Sequence, residues 1–304
     1  MQKIIPHLWY DSDAEAAARR YVELIPGSAI GAIVRYPEAG REIHGQTPGS
    51  VMTVEFRLGD TELMALNGGP LFKFTPALSL FVILEDEAAV DRLWKGLSDG
   101  GTTLMPLDKY DWSEKYGWLA DRWGLNWQIA LGRHADTGRT VTPSLLFAGK
   151  AAGQAGAAVE HYTAAFSGTT VDGIMRHDGS GKDAAGTVMH AQFRIDGQAV
   201  MAMDSAEADA VFTEAVSLLV ACDDQAEIDR LWSALSAVPQ AEACGWLKDR
   251  FGVSWQIAPR ALGAMMTSGD RAAVERVTAA FMKMKKLDLP ALERAFAGAE
   301  TVTS

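Results

Sequence analysis

The sequence predicts an α+β protein made of two similar domains in tandem, each built from βαβββ modules whose curled mixed sheets carry their helices outside. Three observations predict it. The 304 residues suit two domains of about 150 residues each, one half of the sequence repeats in the other, and the pattern of strands and helices recurs along the chain. We place the first domain at residues 1–135, the second at 136–260 and a C-terminal helical extension at 261–304.

The internal repeat is the strongest signal. Residues 117–130, GWLADRWGLNWQIA, return as residues 245–258, GWLKDRFGVSWQIA, and the DRLW of residues 91–94 returns at 229–232. The offset between the copies falls from 138 to 128 along this stretch, so the first copy carries about ten extra residues. We interpret residues 106–112 as a lengthened loop in the first copy.

Each copy divides again into two units of the same pattern. The first unit begins with a strand at 4–10 and a helix at 13–24 that ends at Pro26-Gly27. Three strands follow this helix, and period-two alternation supports them. The remaining predicted strands and helices follow the same order: strands at 78–84, 103–107, 116–120, 125–130, 141–147, 171–176, 187–195, 199–203 and 216–221, and helices at 87–97, 154–166, 225–235, 272–285 and 290–297.

Composition and charge exclude several classes of function. Apolar residues make up 48% of the chain, which is typical of a globular protein, and the formal net charge of −11 disfavours nucleic acid and anionic membranes as partners. No apolar run approaches the roughly 20 residues that span a bilayer, and no signal-peptide core follows Met1, so we expect a cytoplasmic location. Cys222 and Cys244 lack CxxC spacing and are expected to be reduced structural thiols.

Several short motifs resemble one known family. IPHLWY at 5–10, NGGP at 67–70, DRLW at 91–94 and the segment at 245–257 resemble the PhnB-like branch of the vicinal oxygen chelate superfamily, which includes glyoxalases, dioxygenases and bleomycin-resistance proteins. The resemblance covers residues 1 to about 260 in two tandem copies. It implies that each pair of modules curls a sheet around a cup that holds the ligand.

The resemblance also implies where a divalent metal would bind, because the superfamily places one ligand on the first and last strand of each module. Gln128 and Gln256 stand where the family usually has Glu, and a neutral amide oxygen is a poor substitute for a carboxylate. We therefore predict no metal and no cofactor, with a divalent ion held by non-standard ligands as the alternative. In the first copy the other corresponding positions are near Pro6 or His7, near Ala65 and at 77–79. In the second copy they are near Pro143 or Ser144, at Ala202 and at Val216 or Ser217.

Alternation on the last strand of each copy selects candidate ligand-binding residues. It places Trp127 and Trp255 under a helix and turns Gln128 and Gln256 toward the cup. Each glutamine could form hydrogen bonds with a carbonyl or amide of the ligand. The alternative is that its hydrogen bonds are made within the sheet. We also nominate four further ligand-binding residues: Phe72 as a wall in the linker between modules, Trp112 as a lid aromatic, and Tyr10 and Gln192.

Two residues are candidates for catalysis. Glu55 and His190 lie on equivalent strands of the two copies, and burial in an apolar cup would shift the pKa of either toward neutrality and make it a general base. Exposure of that face is the alternative. Strand parity turns His7 toward the helix side, so we interpret it as structural.

Two classes of function follow. The first is metal-independent binding of a small organic molecule, such as sequestration of a xenobiotic or antibiotic, by a monomer with an intrachain pseudo-dimer or by a homodimer. The second is an enzyme, either a lyase or isomerase that uses Glu55 or His190, or a divergent metal enzyme of the glyoxalase or dioxygenase type. The sequence has no GxSxG, no HExxH and no GxGxxG after a strand, so hydrolase, zinc-protease and dinucleotide chemistry are unsupported.

Overall fold

The computed structural model describes residues 2–299 as two mixed β-sheets with helices packed on their outer faces. The strands are β1 Ile4–Tyr10, β2 Ala29–Arg35, β3 Val51–Leu58, β4 Thr61–Asn67, β5 Leu78–Leu84, β6 Thr102–Tyr110, β7 Ser113–Ala120, β8 Asn126–Leu131, β9 Val141–Phe147, β10 Thr170–Arg176, β11 Val188–Ile195, β12 Gln198–Asp204, β13 Val216–Cys222, β14 Trp246–Lys248 and β15 Ser254–Pro259. The helices are α1 Ala14–Leu24, α2 Arg41–His44, α3 Glu87–Ser98, α4 His134–Thr137, α5 Ala155–Ala165, α6 Gln225–Leu235, α7 Arg260–Met266, α8 Arg271–Phe281 and α9 Leu289–Ala297. None of the helices in residues 2–299 is long and apolar enough to cross a membrane.

The elements fall into four modules that each begin with a strand and a helix. The first contains β1 to β4, the second β5 to β8, the third β9 to β12, and the fourth β13 to β15. The expected tandem βαβββ architecture with mixed sheets, outer helices and a helical tail is therefore confirmed. The fourth module departs from the pattern, because one strand is missing after its helix.

The modules pair across the two copies. Sheet A, in the order β14-β15-β13-β1-β4-β3-β2, joins the first module to the fourth, and sheet B, in the order β10-β11-β12-β9-β5-β8-β7-β6, joins the second to the third. The expectation that consecutive modules share a sheet is wrong. The duplication explains the error. Because β5 and β13 are equivalent strands of the two copies, the sequence cannot tell which of them pairs with β1.

Two linkers carry the chain between the sheets and hold each other in place. Residues 68–77 lead from sheet A to sheet B, and residues 205–215 lead back. The hydroxyl of Thr75 donates to the Val211 carbonyl at 2.6 Å, and that of Thr213 donates to the Lys73 carbonyl at 2.8 Å. The two bonds are symmetric equivalents, so the exchanged pairing is supported by contacts specific to it.

The repeated motif DR(W/F)G is structural. Asp121 is buried, and its carboxylate accepts hydrogen bonds from the Tyr21 hydroxyl at 2.6 Å, the Trp127 indole at 2.9 Å and the backbone N–H groups of Trp123 and Leu125. Asp249 accepts the equivalent four bonds from Tyr162, Trp255, Phe251 and Val253. In each copy, one carboxylate thus joins a turn, a strand and a helix through hydrogen bonds. These bonds compensate for the cost of burying the carboxylate.

The extra residues of the first copy form strand rather than loop. β6 runs to Tyr110 and pairs with β7, so residues 106–112 are the end of a β-hairpin, and the expected lengthened loop is wrong. In sheet A the C-terminal tail lies at the corresponding edge. The carbonyls of Met284 and Lys285 accept from the backbone N–H groups of Cys244 and Gly245, both at 2.7 Å.

The tail also contacts the first copy. The carboxylate of Glu275 on α8 accepts from the backbone N–H groups of Glu38 at 3.0 Å and Ala39 at 2.7 Å. Its own small core contains Met265, Val277, Leu287 and Leu292. The tail therefore contacts both copies and covers an edge of sheet A that would otherwise be unpaired.

Candidate functional site

Each sheet presents one face to its helices and one away from them. We call the face of sheet A opposite α1 and α6 cup A, and the face of sheet B opposite α3 and α5 cup B. On β1, Ile4, Leu8 and Tyr10 belong to the buried core on the helix side. Alternation along the strand therefore turns His7 and Trp9 into cup A.

A row of side chains crosses the floor of cup A at one level. His7 pairs with Met64 on one side and with Ser217 on the other, and Met64 pairs in turn with Glu55. Gln256 extends the row, because its amide nitrogen donates to the Ser217 hydroxyl at 2.9 Å. The row thus carries two titratable groups, Glu55 and His7.

Cup B has the equivalent row without a titratable group. Ser144 pairs with Met201 and Ser79, and Met201 pairs with Gln192. Gln128 completes the row through its amide nitrogen, which donates to the hydroxyl of Ser79 at 2.8 Å and to that of Ser144 at 3.3 Å. The two cups therefore share a framework and differ in chemistry.

The polar centre of cup B is saturated by the protein itself. The hydroxyl of Tyr116 donates to Gln128 Oε1 at 2.7 Å, while the amide nitrogen of Gln128 binds the two serines. Burial raises the pKa of Tyr116 well above its ordinary value, so the phenol keeps its proton at neutral pH. Gln128, a predicted ligand-binding residue, here has both ends of its amide occupied.

The polar centre of cup A is not saturated. The sequence equivalent of Tyr116 is Cys244, where the backbone turns with a φ of 52° and pairs with the tail. Within residues 2–299, no donor reaches Gln256 Oε1. Gln256 is 8% exposed, and its Oε1 is accessible at the surface of the cup, so a molecule in the cup could donate a hydrogen bond to it.

His7 is the second unpaired group of cup A. It is 3% exposed, and its Nδ1 has no hydrogen-bond partner within residues 2–299. Burial lowers the pKa of its imidazole from 6.5 to about 3, so the ring is neutral at physiological pH. The interpretation of His7 as a residue on the helix side is wrong, because Leu8 and Tyr10 take that side of β1.

His7 contacts one end of an aromatic cluster formed by Trp246, Trp9 and Phe72. The centroid of its ring lies 5.6 Å from that of Trp246, and Trp9 lies 5.9 Å from Trp246 and 4.9 Å from Phe72, all edge to face. The linker fixes Trp9, since its indole N–H donates to the Gly69 carbonyl at 2.8 Å. A Cβ at Gly68 would lie 2.2 Å from the indole ring, so only glycine fits there.

Cup B lacks this aromatic cluster. Leu146 stands at the position of Trp9 and Ala210 at that of Phe72, and only Trp118 matches Trp246. Leu146 and Ala210 pack together in a small apolar cluster that also includes Ala77 and Ala148. The cluster of Trp9, Phe72 and Trp246 is therefore not repeated in cup B.

Glu55 lies on the cup face of β3 and is half-buried, which is intermediate between the burial and the exposure that the sequence left open. Burial raises the pKa of its carboxyl and the charge of Glu62 adds to the rise, while the backbone N–H of Ala32 opposes it. That N–H is free because β2 carries a bulge between Ile30 and Ile33. The site therefore gives cup A one carboxyl group with an elevated pKa.

The other predicted catalytic residue lies in the other cup. His190 sits on the cup face of β11 in sheet B, where burial lowers its pKa. Gln192 lies two residues further, and its amide donates to the Asp172 carboxylate at 2.8 Å and to the Asp136 carbonyl at 2.9 Å. Glu55 and His190 are thus brought to different sheets and cannot form one catalytic pair.

Two of the predicted aromatic residues have different outcomes. The prediction that Tyr10 binds the ligand is wrong, because this residue is 3% exposed and lies on the helix side. Its hydroxyl forms a hydrogen bond with the Tyr21 hydroxyl at 3.0 Å. Trp112 is 67% exposed at the tip of the β6–β7 hairpin, where it stacks on Tyr110 at 4.9 Å. It lies 6.3 Å from Tyr116 and therefore at the rim of cup B.

Sequence reasoning missed His7, Trp9 and Trp246 as cup residues. The signal was present in IIPHLWY, because a strand whose Leu8 and Tyr10 face the core must turn His7 and Trp9 the other way. The bulky aromatic at Tyr10 suggested a cup wall. Its hydroxyl is instead satisfied inside the core by the network that ends at Asp121.

The residues present do not fit a divalent metal. At the level where the superfamily places its ligands, cup A offers His7, Met64, Ser217 and Gln256, so imidazole is the one strong ligand among them. The amide nitrogen of Gln256 donates to Ser217, so the group left for a metal ion is a neutral carbonyl oxygen, which is a weak ligand. Residues 2–299 contain no cluster of three or more His, Cys, Asp or Glu side chains placed to hold an ion.

The fold and the paired cups define a protein of the vicinal oxygen chelate superfamily, PhnB-like branch. Within it, the chain belongs to the family described as 3-demethylubiquinone-9 3-methyltransferase, whose profile matches residues 2–130 and again residues 139–258. The two matches correspond to the two copies of the repeat.

The chain is also similar to solved structures. Glyoxalase I from Zea mays is similar over 86% of this chain and 92% of its own, with a TM-score of 0.51 and 10% identity, which supports the fold alone. A PhnB protein from Bacillus cereus is 38% identical over 43% of this chain and 100% of its own, with a TM-score of 0.40. No curated protein sequence matches the chain significantly.

Proposed function

We propose that this protein binds a small organic molecule in cup A without a metal ion. One observation carries the proposal: within residues 2–299, His7 Nδ1 is a buried polar atom without a partner, and the His7 ring packs edge to face against Trp246, which packs against Trp9 in turn. A buried polar group normally has a hydrogen-bond partner, because leaving it unpaired costs about 1–3 kcal/mol. A ligand with one polar group among apolar atoms would remove that cost and cover the aromatic walls.

The uncharged fluorescent probe N-phenyl-1-naphthylamine tests this proposal. We expect one molecule to bind per chain, with a rise in probe emission and quenching of tryptophan emission. Trp246→Ala should weaken binding by about tenfold, since loss of about 1.4 kcal/mol of aromatic contact corresponds to that factor. The matched control is Trp118→Ala, which removes the equivalent ring from cup B. Absence of binding, or equal weakening by both variants, would contradict the proposal.

Sequestration of a xenobiotic or antibiotic is the role that such binding would serve. An aromatic cup supplies affinity for such a molecule without a metal ion, and the net charge of −11 leaves nucleic acid an unfavourable partner. Cells that overproduce the chain should tolerate an aromatic toxic compound that the purified protein binds, and cells that overproduce Trp246→Ala should not. Equal tolerance in both strains would contradict this role.

An enzyme of the lyase or isomerase type is the second candidate, and Glu55 favours it. Its carboxyl lies in the same row as His7, and its raised pKa brings it closer to the range of a general base. Turnover of a molecule that copurifies with the protein should then disappear in Glu55→Gln and persist in His190→Ala. Turnover that survives Glu55→Gln would remove this candidate.

The family description names a methyl transfer, and we do not extend that activity to this chain. The sequence has no GxGxxG after a strand to bind the methyl donor's nucleoside. We expect no binding of S-adenosylmethionine in calorimetry. Saturable binding of that donor would overturn this expectation.

A further inference from the structure

We propose that the ligand of cup A is a phenol-like molecule, an aromatic ring with a hydroxyl group, whose hydroxyl fills the place that the Tyr116 hydroxyl holds in cup B. This inference rests on the proposed function and names the chemical class of the ligand. It comes from comparing two cups that share one framework within a single chain.

Cup B shows what the shared framework needs at its centre. There the glutamine on the last strand, Gln128, turns its amide nitrogen to the serines and receives a phenol hydroxyl on Oε1 at 2.7 Å. Cup A repeats the first half of this arrangement, since Gln256 donates to Ser217 at 2.9 Å. The donor to Oε1 is the part that residues 2–299 do not supply in cup A.

The orientation of Gln256 fixes the kind of group that is missing. Because its amide nitrogen is committed to Ser217, the group that remains inside the cup is a carbonyl oxygen, which only accepts. The partner must therefore donate a hydrogen bond. A ligand ether, ester or ketone offers acceptors alone and leaves this oxygen unpaired.

His7 adds a second requirement. It stands on β1 beside Ser217, and its neutral imidazole has one N–H and one lone pair, so it can give or receive a hydrogen bond. A hydroxyl both donates and accepts, which matches a carbonyl oxygen and a neutral imidazole together. In cup B the position of His7 is Ser144, whose hydroxyl is engaged by Gln128 at 3.3 Å.

The rest of cup A fits an aromatic ring. Trp9, Phe72 and Trp246 are half-buried and meet edge to face, so they leave partly open ring surfaces beside His7. Cup B, which contains its own phenol ring, has Leu146 and Ala210 in place of two of these walls. Cup A, which has no built-in phenol, thus has a cluster of three aromatic side chains that cup B does not repeat.

The side chain of tyrosine as a free molecule, p-cresol, is the sharpest probe. We expect the protein to bind p-cresol about tenfold more tightly than toluene or 4-methylanisole, the gain of one buried hydrogen bond. Toluene leaves water more readily than p-cresol, so a cup that offered only apolar contacts would prefer toluene. Protein-observed NMR titration, followed at the tryptophan indole signals, measures these weak affinities.

Two variants assign the effect to cup A. Gln256→Met keeps the size of the side chain but removes the acceptor, and it should reduce p-cresol affinity to that of toluene. Tyr116→Phe, which removes the hydroxyl of cup B, should leave the p-cresol affinity of cup A unchanged. Should Gln256→Met fail to fold, the ratio between p-cresol and 4-methylanisole in the unaltered chain still decides the question.

The failure of this inference can be told from the failure of the proposed function. Equal affinity for p-cresol, toluene and 4-methylanisole would overturn the phenol-like ligand and leave a general apolar cup. A p-cresol preference that survives Gln256→Met would also overturn it. Absence of binding of N-phenyl-1-naphthylamine and of all three small probes would instead overturn the proposed function itself.

Discussion

At the scale of single residues, His7 couples cup A to the stability of the fold. Its imidazole is buried and neutral, with a pKa of about 3 instead of 6.5, because burial removes the water that would stabilise the charged form. A group whose pKa is lower in the folded than in the unfolded state makes protonation favour unfolding. Its stabilising effect is therefore complete above pH 6.5 and is lost as the pH falls toward 3.

We predict that His7→Phe changes the acid dependence of folding. The difference in unfolding free energy between the original chain and the variant should be constant above pH 7. Below pH 6.5 it should move in favour of the variant by about 1.4 kcal/mol for each pH unit. Urea unfolding at a series of pH values measures it, and subtracting one chain from the other cancels the titration of shared carboxylates. A difference that stays constant down to pH 4 would contradict a buried neutral His7.

The buried carboxylates of the repeated motif give a second prediction at this scale. Each oxygen of Asp121 accepts two hydrogen bonds, so Asp121→Asn must turn an amide NH₂ group toward two other donors. We expect a loss of about 2–4 kcal/mol in unfolding free energy, and a similar loss for Asp249→Asn in the second copy. Asp99→Asn, at an exposed ion pair with Arg122, is the control and should change little. A cost near zero at Asp121 would show that the carboxylate network is not structural.

At the scale of elements, the two sheets close the same edge by different means. Sheet B uses the hairpin of β6 and β7, whereas sheet A uses the backbone carbonyls of Met284 and Lys285. Sequence patterns predicted the helices of the tail and the shorter second copy. They could not show that the tail replaces the missing strand, because a backbone carbonyl accepts a hydrogen bond whatever its side chain is.

Undocking the tail should open that edge. Leu287 is 1% exposed in the core of the tail, and Leu287→Ala should cost about 2–5 kcal/mol at that contact. We expect hydrogen exchange to become faster at the backbone amides of Cys244 and Gly245, which lose their acceptors. Exchange in the hairpin of β6 and β7 should stay as it was, and this is the internal control. Unchanged protection at Cys244 and Gly245 would mean that the tail does not complete sheet A.

At the scale of the whole molecule, the sequence predicted the modules and their duplication but not their partners. Alternation placed Trp127 and Trp255 under helices and Gln128 and Gln256 in the cups, because period two is a local property of a strand. Pairing between strands is not local, and equivalent strands of two copies satisfy the same edge equally well. For that reason we expected Gln128 and Gln256 to lie beside the other ligand positions of their own copy. In the structure, each cup instead combines residues from both copies.

The exchanged pairing leads to the last prediction, which concerns assembly. Both junctions between modules, β1 with β13 and β5 with β9, lie within the chain, so we propose that the intact protein is a monomer. A fragment of residues 1–138 has the free edges of β1 and β5, which are equivalent to β9 and β13. A second copy of the fragment can supply both partners, since each strand would meet the equivalent of its native neighbour.

We therefore expect the intact chain to sediment near 32.7 kDa and the fragment to sediment as a dimer. Adding residues 139–304 should convert the fragment dimer into a one-to-one complex that regains the p-cresol site, because Ser217 and Gln256 come only from that half. A fragment that folds as a stable monomer would show that one copy can close its own sheet. In that case the two cups would not depend on the pairing of the copies.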